Sequence, residues 1–170
     1  MAQKKDMTKG KITLPLIAFT VPLVLGNLFQ LTYNAADSVI VGYFVGEEAL
    51  AAVGTSAPLM NIALLLISGL CMGASILMSA QYGSGDYGLL SRQISTTFLA
   101  GCGFSVLFSI VTILLARPLL LLIQVPEEVI GEASAYLRIV FLGILFTFIY
   151  NFLANTLRAL GDSKTPLYFL

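Results

Sequence analysis

Thr20, Asn27, Gln30, Asn34 and Asp37 recur along a segment that is otherwise apolar enough to sit in lipid. At ~100° per helical residue these five side chains fall within an arc of about 100°, so they form one polar face. An acid in a membrane-spanning helix costs roughly 2.5 to 3.5 kcal/mol on insertion scales and persists where it faces a bundle interior or a watery cavity. Asp37 is therefore a candidate for binding a cation along a transport pathway. A second reading stays open: if the span ends near Asn34, the carboxylate sits solvated at the outer interface and only caps or solubilises the helix. Against it, apolar residues resume at Val39-Ile40-Val41 and the stripe runs on to Asp37.

A second polar stripe lies near the other end of the chain. Thr147, Asn151, Asn155 and Arg158 recur at spacings of four, four and three residues and so share a helical face. Amides facing lipid would be unsatisfied, which predicts that the two stripes meet across a hydrated interior. The alternative is that Asn151 and Asn155 bond neighbouring helices as glue. Arg158 is expected to snorkel to the cytoplasmic surface. Chemistry of other kinds finds no support. The chain has no His, no carboxylates paired at useful spacing and no phosphate-cradling loop, so neither enzymatic activity nor a cofactor is expected. Cys71 and Cys102 lie in apolar runs without metal-like spacing and are expected to be small packing residues. No metal site is expected from these residues.

The elements that must carry these stripes follow from composition. With 58% hydrophobic residues, 11% charged residues and a mean hydropathy of +0.92, the 170-residue chain is excluded from the class of soluble domains with a charged surface. Its Lys and Arg residues are scattered among the connections rather than gathered with aromatics, which excludes a nucleic-acid surface. The fold class is an all-α integral membrane protein, a polytopic helical bundle. Residues 1–11 are expected to form a cytoplasmic amino-terminal tail. Spans are predicted at about 12–44, 49–81, 94–115 and 136–157, with a fifth starting at about 166. The apolar run after the basic tail is too long for a signal-peptide core, so it is retained as the first span. The first two spans run to about 33 residues, near 50 Å at ~1.5 Å per residue, so they must tilt, kink or project. Pro22 supplies a kink site in the first.

The separators are predicted to be loops: Gly46-Glu47-Glu48, Gly83-Ser84-Gly85-Asp86, Arg117-Pro118 through Pro126-Glu127-Glu128, and Gly161 to Pro166. Taking alternate sides, Lys4, Lys5, Lys9, Lys11, Arg92, Arg158 and Lys164 fall on one face of the membrane, against Arg117 and Arg138 on the other. That bias predicts a cytoplasmic amino-terminus. On the second span Gly54, Pro58, Asn61, Ser68, Ser75 and Ser79 share a face and Gly69 and Gly73 are spaced as small-xxx-small, predicting tight helix packing. Gly101, Ser105 and Ser109 repeat the pattern on the third. The last residues, from Pro166, begin another apolar run, which is expected of the front part of a longer transporter or a truncated copy of one.

Several of these runs resemble one family. Asp37-Ser-Val-Ile-Val-Gly42-Tyr-Phe-Val-Gly46, followed by Ala49-Leu-Ala-Ala-Val-Gly54, resembles the first helix and outer turn of the multidrug and toxic compound extrusion (MATE) family. Leu157-Arg158-Ala159-Leu160-Gly161-Asp162-Ser163-Lys164-Thr165-Pro166 resembles its turn between the fourth and fifth helices. Gln81 with Gly83-Ser84-Gly85-Asp86, in slightly compressed spacing, is similar to its turn after the second helix. Val125-Pro126-Glu127 with Tyr136-Leu137 is similar to its lead into the fourth.

The resemblance covers nearly the whole chain in order. It implies that residues 12–170 are part of the amino-terminal lobe of a twelve-helix, two-lobe transporter. Such a transporter exports cationic or amphipathic compounds in exchange for protons or sodium ions, and the remaining helices of the full-length protein are its partners. Asp37 matches the family's cation-coupling acid on the first helix, and Gln30 resembles a polar partner of that acid. Asp37 is the site of a possible sodium ion, and Gln30, Asn34, Asn151 and Asn155 are expected to line a polar cavity for substrate. Further acidic and polar positions expected on the fifth and sixth helices fall outside the chain. The rival readings are a lipid-linked precursor flippase of the same superfamily, which calls for a more basic cavity, and a non-transporting membrane fragment or assembly subunit. A small dimeric four-helix exporter is disfavoured by the long first spans.

Overall fold

A computed structural model of the chain describes residues 13–44 and 46–168, the side chains of Leu14 and Pro15 excepted. The expected tail at 1–11 and position 12 lie outside the described residues. The elements are α1 (Thr13–Phe44), α2 (Glu47–Ser84), α3 (Tyr87–Leu122), α4 (Glu127–Leu142), α5 (Ile144–Ala159) and α6 (Lys164–Tyr168). No strand occurs among the described residues, so the fold is all-α. The first three helices are long and apolar enough to cross a membrane, and α4 with α5 makes a fourth crossing if the bent pair is one broken span. At 32 residues α1 is about 48 Å long at ~1.5 Å per residue, well beyond the ~30 Å hydrocarbon core. It passes through Pro22 and Asn34 as a single helix.

The helices overrun the predicted spans, and the charges explain how. Glu47 and Glu48 occupy the first turn of α2, and Glu127 and Glu128 the first turn of α4 behind Pro126. Carboxylates there complement the helix dipole, so charges that suggest a loop belong to helix starts. Gly83 and Ser84 close α2, and Arg117 and Pro118 lie within α3; these too are helical, not separators. The α2–α3 turn is built by Gly85 at φ 77°, a left-handed conformation that favours glycine. Its N–H donates to the Tyr82 carbonyl at 3.2 Å and that of Asp86 to Gln81 at 3.1 Å. Asp86 then accepts from the Leu89 N–H at 2.9 Å, which starts α3 at Tyr87, seven residues before the predicted Ile94.

The fourth predicted span is two helices meeting at a 45° bend. The Gly143 N–H donates to Val140, only three residues back, at 3.0 Å. The Phe141 carbonyl accepts instead from the Ser109 hydroxyl of α3 at 2.6 Å. A neighbouring hydroxyl thus satisfies backbone at the break, as lipid cannot.

Helices α2, α3, α4 and α5 share one core. Ile67 and Met78 from α2, Leu120 from α3, Leu137 and Phe141 from α4, and Phe148 and Phe152 from α5 are all buried. Gly101 is required where α3 crosses α5: a Cβ there would lie 2.0 Å from the Phe148 ring. Ser105 and Ser109 are buried in the same seam, and Cys71 is a buried free thiol packed in the core. On α2 the expectation fails. The buried face carries Ala52, Ser56, Ala63, Ile67, Cys71 and Met78, while Gly54, Pro58, Asn61 and Ser79 are exposed. Gly69 and Gly73 are exposed too, with nothing within 4 Å of an added Cβ. Small residues mark a face that permits close approach, but Ala, Ile, Cys and Met supply more contact area, and that side meets the described core.

Helix α1 stands apart. Among the described helices it touches only α2 and α6. Gly42 nears Leu50 at the start of α2, and Gly26 nears Leu167 of α6. Elsewhere α1 splays from the core, leaving a wedge between itself and α5.

Candidate functional site: a polar cavity between α1 and α5

The wedge holds a cavity of about 610 Å³. Pro22, Leu23, Gly26, Asn27 and Gln30 of α1 form one wall, and Phe146, Thr147, Tyr150, Asn151, Ala154 and Arg158 of α5 the facing wall. Leu64 and Ser68 of α2 close the back; Ser163, with Pro166 and Leu167 of α6, closes one end. The bend at Gly143 matters here, because it sets the direction in which α5 presents Thr147 and Asn151. Asn27 and Gln30 from the first stripe therefore share one cavity with Thr147, Asn151 and Arg158 from the second.

Thr20, Asn34, Asp37 and Asn155 are not among the lining residues. Asp37 lies seven residues beyond Gln30, about 10 Å farther along the helix at ~1.5 Å per residue. It is exposed, still within α1, and within electrostatic reach of the Tyr136 phenol of α4. Because α1 continues to Phe44, Asp37 is not a cap on a helix that ends near Asn34.

Among the described residues the amides on α5 make no bond to another helix. Asn151 donates to the Thr147 carbonyl at 2.8 Å, and Asn155 to the Asn151 carbonyl at 2.8 Å, both within their own helix. These bonds pin each side chain along α5. Thr156 also bonds within the helix, to Phe152 at 2.8 Å, and faces Met78 of α2.

Arg158 departs most from expectation. It lines the cavity instead of snorkelling away, and its Nε is buried without a hydrogen-bond partner among the described residues. The nearest acid in sequence is committed elsewhere. Asp162 accepts from the Lys164 and Thr165 N–H groups at 3.0 Å each and from the Thr165 hydroxyl at 2.6 Å. The Thr165 hydroxyl chiefly, with those N–H groups, holds its carboxyl below its ordinary value against the opposing effect of partial burial. Spacing placed Arg158 on the stripe but could not show that the chain folds back at Gly161, φ 84°, to enclose it. Ser68, Tyr150 and Ser163 are lining residues that the stripes do not include. Among the described residues no group of three or more His, Cys, Asp or Glu side chains could hold a metal ion.

The MatE family model matches residues 22–170. The chain belongs to the MatE family. Among the relatives of this MatE chain is the probable multidrug resistance protein YpnP of Bacillus subtilis, 38% identical over 165 residues that cover 97% of the chain and 37% of that protein. The probable multidrug resistance protein YoeA of the same organism is 34% identical, covering 100% of the chain and 36% of its own length. The multidrug export protein MepA of Staphylococcus aureus is 21% identical over 90% of the chain and 34% of its own length. No solved structure shows significant similarity. The chain thus spans just over a third of the length of the curated relatives it matches, and it is a multi-pass membrane protein of a transporter family.

Proposed function

We propose that this chain is part of the amino-terminal lobe of a two-lobe, ion-coupled multidrug antiporter in the plasma membrane, its amino-terminus cytoplasmic. The observation that carries the reading is the meeting of Asn27 and Gln30 with Thr147 and Asn151 around one cavity in a chain of this family. Relatives named for multidrug resistance and multidrug export support it. The substrates are cationic or amphipathic compounds and the driving ion is a proton or sodium.

Asp37 is the coupling residue in this mechanism. It lies on the same helix as the cavity wall formed by Asn27 and Gln30, so ion binding at the acid and substrate binding at the wall act on one element. Binding or release of the ion at Asp37 changes the charge carried by α1, and that change alters how α1 packs around Pro22. Coupling then follows from the different affinities of two conformations for ion and drug. Asn34 lies between Gln30 and the acid, and Asn155 buttresses Asn151.

The test is Asp37→Asn in the full-length transporter, with ion-driven efflux of a cationic dye as the readout. Efflux that no longer responds to the ion gradient supports the reading, and undiminished coupling sinks it. Arg158 in the cavity is the one observation that favours the lipid-linked precursor flippase. A single cation beside four neutral side chains falls short of the basic cavity such a substrate demands.

A further inference from the structure

The cavity holds a fixed charge that a pathway for cations alone does not explain. Sixteen residues line it; Arg158 is the only charged one, and none is an acid. The guanidinium is always protonated, and its planar fork matches an oxyanion. Among the described residues its Nε is a buried donor with no partner, a state that costs the desolvation of that group unless something occupies it. Asp162 does not serve: its oxygens accept from Lys164 and Thr165, and among the described residues it makes no ion pair with Arg158. The lining combines polar side chains, among them Asn27, Gln30, Asn151 and Ser163, with apolar ones, among them Leu23, Phe146 and Leu167.

We infer that the cavity carries an oxyanion subsite at Arg158, which takes the carboxylate or phosphate of an amphipathic molecule while the apolar lining residues take its body. The inference rests on the transport reading and narrows it: compounds bearing an acidic group, zwitterions included, are bound in preference to matched compounds without one. Asn151 and Ser163, the polar residues nearest to Arg158 in sequence among the lining, complete the subsite.

The probe is a pair of dyes that differ in one group, rhodamine B with a free carboxylate and its ethyl ester without. Efflux of each is measured in proteoliposomes of phosphatidylcholine carrying the full-length transporter. The unmutated protein is expected to move the acid in preference to the ester. In Arg158→Gln that preference falls about tenfold, the loss of one charge-assisted hydrogen bond, whereas Arg158→Lys keeps most of it. Repeating the assay with phosphatidylglycerol in the vesicles separates two sources of the oxyanion: a preference erased by that lipid assigns the subsite to a lipid headgroup, and one that persists assigns it to the free compound. Ester efflux with no preference for the acid in the unmutated protein overturns the inference and leaves the transport reading standing. An unchanged preference in Arg158→Gln overturns it as well. If neither dye moves, the transport reading itself fails and takes the subsite with it.

Discussion

The seam between α3 and the broken α4–α5 helix and the cleft between α1 and α5 use polar residues in opposite ways. In the seam, Ser109 spends its hydroxyl on the Phe141 carbonyl at 2.6 Å, and Gly101 exists to admit the Phe148 ring. In the cleft, Asn27, Gln30 and Asn151 line open space, and Arg158 has a buried donor with nothing to bind. In the first region Ser109 and Gly101 are consumed by structure, although Ser105 Oγ is buried there without a partner among the described residues; in the second, Asn27, Gln30 and Arg158 are left for something that comes and goes. Spacing along a helix does not tell the two apart; what stands opposite does.

The sharpest way to break this contrast is in the seam. Gly101→Ala places a methyl group inside the Phe148 ring, and overpacking of this kind costs about 1–3 kcal/mol. Thermal unfolding in detergent is expected to shift down, with partial recovery on adding Phe148→Leu; an unshifted transition means that α3 and α5 are not seated as described. Ser109→Ala comes next. It leaves the Phe141 carbonyl without its partner, and interhelical hydrogen bonds in membranes are worth about 0.6 to 2 kcal/mol, so a smaller downward shift is expected.

In the cleft, stability should barely respond while function does. Asn27→Leu and Gln30→Leu remove polar groups that make no interhelical bond among the described residues, so unfolding is expected to move within about 0.5 kcal/mol while dye efflux falls. Equal damage to both would erase the distinction between the two regions.

The smallest effect is a pH response at the end of the cleft. The folded-state pKa of Asp162 is depressed, so its contribution is fully present above the unfolded value and is lost as pH falls through the lower folded value. Amide exchange at Lys164 and Thr165, corrected for intrinsic rates, is expected to speed up in acid, and Asp162→Asn is expected to flatten that response. Protection unchanged by acid or by the substitution contradicts the role assigned to this turn.

Much of this was legible in the residues. Long apolar runs announced the helices, and the periods of Asn27 to Gln30 and Thr147 to Asn151 announced the faces that share the cavity. Three features were hidden for physical reasons. A glycine inside an apolar helical run does not declare a break; the bend at Gly143 comes with a hydroxyl 34 residues earlier that takes a nearby carbonyl. The small residues of α2 mark where a backbone could be approached, yet the described core chose the opposite face. Arg158 looked like a surface anchor because a one-dimensional stripe cannot show that the chain turns back over it at Gly161.

The central claim is that the two polar faces enclose water between α1 and α5. It is tested most directly by single cysteines at Gln30, Asn151 and Phe148, with Cys102 replaced by alanine and the buried Cys71 retained, labelled in native membranes with a small charged thiol reagent. The thiolate is the reactive form and needs a hydrated setting. Labelling at Gln30→Cys and Asn151→Cys, with Phe148→Cys as unreactive as the Cys71 background, is the result this account predicts. Asn151→Cys as inert as Phe148→Cys would contradict it.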